Sequence, residues 1–392
     1  MKKWLAGLAG LSLLAASTVT ASAQEKLRIG LITTLSGPGA VLGQQSRDAF
    51  QLAVRNLGGR LGGVETEVIV VDDELKPDVA VTRVRGLIER DKVDFVVGPI
   101  FSNVLVAIHK PVTDAGAFLI SPNAGTSNFA GRQCHPNFFV TSYQNDQVHE
   151  VMGKYAQEKG YKRVFLLTPN YQAGRDAMAG FKRHFTGEVV GEEYVPLNTT
   201  DFSGELAKIA AARPDAMFTF MPGGLGINLV RQFRQAGLAD RVPFLSAFTV
   251  DEANLPAQGE AALGMIGGAN WAPNMDNPQS KAFVEQYIAA TNTIPGTYAM
   301  QGYDAAMLID SAIKAAGGRL ADKAAIRAGL RAANFTSLRG PFRIGVNGFP
   351  VQDFYSTRVA RRPDGRFQTE ILERVFQNYT DTYAKDCQMP SN

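Results

Sequence analysis

The chain has 392 residues, with 40 Lys and Arg against 37 Asp and Glu, a formal charge of +3 and only two cysteines. That balance leaves no basic surplus for nucleic acid or an anionic membrane surface. Beyond the first twenty or so residues, no apolar run is long enough to cross a bilayer.

Met1, Lys2 and Lys3 lead into an apolar run from Trp4 to about Ala16 and then Ala21-Ser22-Ala23. A basic start, a short apolar core and an A-x-A site are the pattern of a cleaved secretory signal, residues 1–23. Cleavage leaves a mature chain from Gln24, without a cysteine for lipid attachment, and loss of the two lysines takes the charge from +3 to +1. The remaining residues, about 370, exceed what one core usually accommodates, so two lobes are expected.

Leu27 to Thr33 reads as a buried strand running into the glycine-rich loop Leu35-Ser36-Gly37-Pro38-Gly39-Ala40-Val41-Leu42-Gly43. Phe50, Val54 and Leu57 then recur at helical spacing. Neither G-x-x-x-x-G-K-[ST] nor G-x-G-x-x-G is present, so the loop reads as the lining of a cleft rather than a phosphate cradle, and Asp72-Asp73 after the second strand lacks the glycine partner of a ribose-binding acid. Pro77 opens a helix at the position proline tolerates best, with Val81, Val84 and Ile88 on one face.

Asp94 to Asn128 organises the chain. Two apolar runs, DFVVGP and AFLIS, each end in a small-residue polar loop, Ile100-Phe101-Ser102-Asn103 and Pro122-Asn123-Ala124-Gly125-Thr126-Ser127. In a parallel sheet such loops lie at the carboxyl edge, where ligands bind. Ser102 opens a helical pattern, so its hydroxyl and the first free N–H groups of that helix are placed to receive an anion. The competing reading makes Ser102 and Ser121 caps, and Asn123 and Gly125 turn residues.

After Phe138 to Tyr143 the alternation restarts. The pattern predicts a helix over 146–159, strands over 163–168, 188–195, 215–221 and 243–246, and helices through 185 and over 204–212 and 225–236. Helices over 280–290, 298–316 and 323–333 follow, and two closing strands, 354–360 and 367–376, flank the Pro363-Asp364-Gly365 turn. Strands alternating with helices mean βαβ units and parallel sheets, hence an α/β fold in two lobes. Cys134 and Cys387, an even pair in an exported chain, are expected to bridge and pin the C-terminal tail to the first lobe, two free thiols being the alternative.

VGP-x-x-S-N (97–103), ISP-x-A (120–124), LSGP-x-A-x-x-G (35–43) and Tyr171 in the first loop of the second lobe, taken together, resemble the periplasmic receptors of the leucine/isoleucine/valine-binding type that serve ABC importers. The resemblance covers essentially the whole mature chain. It implies a type I binding fold with three crossing strands as hinge, lobes over 24–143 with 272–350 and 144–271 with 351–392, closure around a ligand, and docking on a membrane permease. It also implies site residues. Ser102 falls on the serine that grips the ligand carboxylate. Asn123 and Gly125 fall on the second-loop donors, with Thr126 one step along for the hydroxyl that Gly125 lacks. Leu42 falls where an aromatic ring often stands, and Tyr171 on the tyrosine from the opposite lobe.

One departure bears on the ligand. Amino-acid receptors of this type place a carboxylate near Phe248 or Thr249 to meet the ammonium, and neither position is acidic here. A buried ammonium without an anionic partner is costly, so a carboxylate lacking the amine is expected, unless Asp251 or Glu252 reaches in. Phe101, Phe248, Met221, Tyr298 and Gln301 are expected to line the rest of the cleft, aromatic faces and a thioether suiting a flat apolar body. Relatives with an SPNAG loop look like receptors for benzoate-type and phenylpropenoid acids, and Gln301 or Tyr298 is placed to bond a ring hydroxyl.

The expectation is therefore an exported, monomeric solute receptor without cofactor or metal. The alternatives are a receptor for a branched-chain or other hydrophobic amino acid, a ligand sensor of the same fold, or an enzyme. For an enzyme, His109, His135, His149 and His184 show no metal spacing, G-x-S-x-G is missing, and Ser102 has no histidine marked as its base.

Overall fold

Two sheets, each flanked by helices, make up the computed structural model, which describes residues 26–389. The expected leader and the start of the mature chain lie outside the described residues.

In the first sheet, β1 (Leu27–Thr33) lies between β3 (Val64–Asp72) and β4 (Phe95–Val97). The full order is β2-β3-β1-β4-β5-β6, with β2 (Arg60–Leu61) hairpinned to β3, and β5 (Phe118–Ser121) and β6 (Phe138–Val140) beyond β4. All pairs except β2–β3 are parallel. Strands covered on both faces need side chains that bury both ways, and β4, β5 and β6 are buried at every position. Alternation sorts the residues. Leu27, Ile29, Leu31, Phe95, Val97, Phe118 and Ile120 join the core under α1 (Ala40–Asn56), α11 (Thr297–Ala315) and α12 (Lys323–Ala332), while Ile32, Val96 and Leu119 face α2 (Pro77–Glu89) and α3 (Ser102–Asp114). From β1 the chain runs to one side of the sheet, toward β2 and β3, and from the adjacent β4 it runs to the other, toward β5, so the loops after β1 and β4 open at a switch point, where a ligand crevice is expected. The short helix α4 (Ser127–Ala130) follows the loop after β5.

The second sheet is parallel from β8 (Glu188–Val195) through β7 (Arg163–Pro169), β9 (Ala216–Thr219) and β10 (Phe244–Ser246) to β11 (Ile266–Ala269). Helices α5 (Asn145–Glu158) and α6 (Gln172–His184) pack against each other, and α7 (Ser203–Ala212), α8 (Gly224–Gln235) and α9 (Leu255–Gln258) complete this lobe. Beyond the parallel part stands an antiparallel flank of β12 (Phe342–Ile344), β13 (Pro350–Arg361) and β14 (Phe367–Tyr379). The hairpin around Pro363-Asp364-Gly365 is as expected, but its strands run longer. The strand β11 was not expected. Its sequence IGGA carries no apolar run because α5 crosses it closely, and a Cβ on Gly268 would meet Val148 O at 2.3 Å. Helix α10 (Pro278–Thr291) returns the chain to the first lobe.

The chain passes between sheets after β6, after β11 and along β12–β13. These passages meet at one atom, Ser142 O, which accepts Asn270 Nδ2 at 3.0 Å, Gln352 Nε2 at 2.6 Å and Arg339 Nη1 at 3.0 Å. Arg339 is also paired with buried Asp304 at 3.0 Å. The Cys134–Cys387 bridge is formed, and the tail it anchors lies on the first lobe, with Tyr383 and Asp386 beside Gly131.

Candidate functional site

Between the two carboxyl edges lies a chain of buried aromatic rings drawn from both lobes. Phe101, at the start of α3, stands 6.4 Å from Tyr171, at the start of α6, and Tyr171 stacks on Phe220 at 6.3 Å. Tyr143, on the first passage, stacks on Phe248 at 5.1 Å, and Phe248 meets Tyr298 of α11 at 5.9 Å. Phe248 adopts a positive φ of 58°, a costly conformation for a bulky residue, which turns its ring toward Tyr143. Leu42 packs in the same buried cluster. Burial pushes the phenols of Tyr143, Tyr171 and Tyr298 well above their ordinary range, so all three stay neutral.

Ser102 is buried at the first turn of α3, where its own N–H and that of Asn103 have no carbonyl one turn back to bond. Its Oγ accepts Asn145 Nδ2 at 3.1 Å. The side chains of the neighbouring loop and the Gly125 N–H are already bonded. Asn123 Nδ2 donates to Ile100 O at 2.7 Å and its Oδ1 accepts Tyr143 Oη at 3.2 Å. Gly125 N donates to Asn145 Oδ1 at 2.9 Å, and a Cβ at 125 would stand 1.8 Å from Tyr143 O, so the hydroxyl-bearing residue that the resemblance implied at this position has no room. Thr126 caps α4, accepting Asn128 N and donating to Asn128 Oδ1 at 2.7 Å.

Gln301 lies one turn beyond Tyr298 on α11, fully buried and near enough to the Tyr143 hydroxyl to offset a little of the upward push that burial gives its pKa. Neither of its amide atoms has a hydrogen-bond partner of good geometry among the described residues. Met221 is placed elsewhere. Strand alternation sends it with Met217 into the outer core of the second lobe, and Phe220, which sequence reasoning missed, takes the inward position. Thr249 spends its hydroxyl on Met221 N at 2.8 Å, tying two loops together.

The acids that could meet an amine are already engaged. Asp251 accepts Thr297 N at 3.1 Å and Ala253 N at 3.0 Å. Burial raises its pKa while those N–H groups pull it back, and its charge is felt at Tyr143 and Tyr298. Glu252 turns to the β13–β14 hairpin, accepting Thr369 N and Oγ1, and burial beside Asp251 pushes it up to about 8. Asp72 and Asp73 hold the loop after β1 through Leu35 N and Thr34 Oγ1, and their own turn through Glu74 N and Leu75 N. His109 stacks on Phe129 and His149 packs among Phe218 and Phe220, and burial lowers them to about 4 and about 3. Ser102 therefore has an asparagine where a hydrolase would have a histidine. Among the described residues no cluster of His, Cys, Asp and Glu is placed to hold a metal, and no helix is long and apolar enough to cross a membrane.

The sequence pattern of the periplasmic binding protein family matches residues 26–366. A solute-binding protein of an ABC transporter from R. palustris, solved in complex with benzoate, is 32% identical with a TM-score of 0.88, covering 93% of this chain and all of that one. Another from Rhodopseudomonas palustris BisB5, in complex with 3,4-dihydroxybenzoic acid, is 32% identical with a TM-score of 0.84 over 91% of this chain and 99% of its own. Leu/Ile/Val-binding protein homolog 6 of Brucella melitensis is 27% identical over 96% of this chain and 98% of its own length. The chain belongs to the periplasmic binding protein family, as a type I solute receptor of an ABC importer related to the Leu/Ile/Val-binding proteins.

Proposed function

We propose that this receptor captures a small aromatic carboxylate of the benzoate or phenylpropenoid type outside the cytoplasm, by lobe closure, and delivers it as a monomer to an ABC permease. The closing halves in this reading are 24–143 with 272–350 and 144–271 with 351–392, the tail returning to the first lobe through its disulfide. One observation carries the ligand class: buried aromatic rings from both lobes gather in the same core as the α3 start, where Ser102 and the first helix N–H groups offer donors, and Asp251 and Glu252 are committed elsewhere. A carboxylate bonds to such donors, and a flat ring fits between aromatic faces. Gln301 is the residue for a ring hydroxyl, since its amide is buried and unsatisfied. The solved relatives that hold benzoate and 3,4-dihydroxybenzoic acid support the same class.

A second reading, a branched-chain amino acid, is favoured by the names of the curated relatives and by the Asp251 charge felt at Tyr143 and Tyr298. A thermal-shift panel separates the two. Benzoate, 4-hydroxybenzoate, 3,4-dihydroxybenzoate and cinnamate should raise Tm, and leucine, isoleucine and valine should leave it unchanged. Stabilisation by the amino acids alone would replace the first reading with the second.

A further inference from the structure

Asn145 is the first residue of α5, just past the first passage between lobes. Every bond of its carboxamide goes to a partner that fixes its orientation. Gly125 N–H can only donate, and it reaches Oδ1 at 2.9 Å, which turns Nδ2 toward Ser102 Oγ at 3.1 Å and Asp176 Oδ2 at 2.9 Å. Asn145 N also donates to Gly125 O at 2.7 Å, so the residue clasps the loop after β5 from both sides.

Asp176 stands on α6, in the opposite lobe from Ser102. Besides Asn145 it accepts Ser127 N at 3.2 Å and Ser127 Oγ at 2.7 Å from the first lobe, and Gln172 Nε2 at 2.8 Å from its own helix. A serine hydroxyl can accept or donate, but only a donor helps to hold a carboxylate. A hydroxyl whose oxygen already accepts an amide N–H has its own hydrogen free to point elsewhere.

We propose that Asn145 is the positioning residue for ligand capture: arriving with the second lobe and held there by Asp176 of the adjoining helix, it donates to Ser102 Oγ and keeps Ser102 as a donor toward the ligand carboxylate. Closing the lobes and arming Ser102 are then one event. The proposal rests on the reading of Ser102 as the ligand's anchor, and it assigns a role to Asn145 and Asp176 that their burial alone does not require.

A double-mutant cycle with benzoate as probe, read by titration calorimetry at pH 7.5, tests it. Asn145→Ala should weaken binding on the order of tenfold in the native background, as for loss of one charge-assisted hydrogen bond, yet change the affinity of Ser102→Ala less than twofold. Equal losses in both backgrounds would mean that Asn145 only supports the fold, and would overturn the proposal. A Ser102→Ala protein that binds benzoate as the native one does overturns the anchor, and the proposal with it. A native protein that ignores benzoate while binding leucine overturns the ligand class first. Should Asn145→Ala fail to fold, Asp176→Asn gives a test by sign. Removing a carboxylate near an anion's site should tighten benzoate binding on electrostatic grounds alone, whereas the proposal expects several-fold weakening, because a second amide in place of Asp176 no longer takes the Asn145 N–H groups in the same way. Tightening would contradict it.

Discussion

At the hinge, one carbonyl, Ser142 O, gathers Asn270, Gln352 and Arg339; across the cleft mouth, one carboxylate, Asp176, gathers Asn145, Gln172 and Ser127. Both are buried polar knots, but they join different things. The hinge donors stand on or beside the passages that connect the lobes covalently, so under the proposed closure these bonds are expected to persist. Ser127 belongs to the first lobe and Asp176 to the second, so under the closure proposed above their bond forms as the cleft shuts. The physical consequence is a division of labour: substitutions at the hinge should act on global stability, and substitutions at the mouth on ligand affinity.

The largest break in that comparison should come from Arg339→Met. Arg339 is buried against Asp304, whose carboxyl burial already pushes up, and removing the guanidinium leaves that acid without its partner. Breaking a buried pair from one side costs about 3–5 kcal/mol, so urea denaturation should show a marked loss in midpoint. A midpoint within measurement error of the native protein would show that the hinge knot is dispensable.

Next in size is Ser102→Ala. Losing a hydrogen bond to a charged ligand should cost about 1.5–3 kcal/mol of binding while leaving the apo denaturation midpoint nearly unchanged. A variant equally weakened in stability and in affinity would erase the distinction between hinge and mouth.

A third effect, read as a pH slope rather than a midpoint, is expected at Glu252, which burial keeps mostly protonated in the folded protein at neutral pH. Its pKa is raised from an ordinary 4.5 to about 8, chiefly by burial. The folded protein therefore holds a proton that the unfolded chain gives up, and stability should fall as pH climbs from 4.5 toward 8. Glu252→Gln should remove that component of the slope in melting curves recorded across this window. An unchanged slope would assign it to other groups, such as Asp176 or Asp381.

Most of the scaffold was legible from periodicity. β1, a largely buried run of seven residues, and α2, opened by Pro77, have the bounds their local signals announce. What periodicity missed was decided by contacts distant in sequence. β11 is glycine-rich because α5, more than a hundred residues earlier, lies against it. The same holds within the site. Ser102, Phe101, Tyr171, Phe248 and Tyr298 carry local signals, a helix start or an aromatic in a loop, and they gather in one buried region. Met221 and Phe220 are adjacent in sequence and opposite in direction, and only the register of β9 tells which one faces inward. Asn145 and Asp176 carry no motif at all. Their significance lies in which loops they touch, 20 and 43 residues back from Asn145 and 49 from Asp176.

The most direct test of the account is a crystal structure of the protein with the ligand that co-purifies from its source, identified by mass spectrometry. The account predicts an aromatic acid with its carboxylate on Ser102 Oγ and the first N–H groups of α3, its ring between the faces of Phe101, Tyr171 and Phe248. An ammonium group seated on Asp251, or a ligand carboxylate that leaves Ser102 untouched, would contradict it.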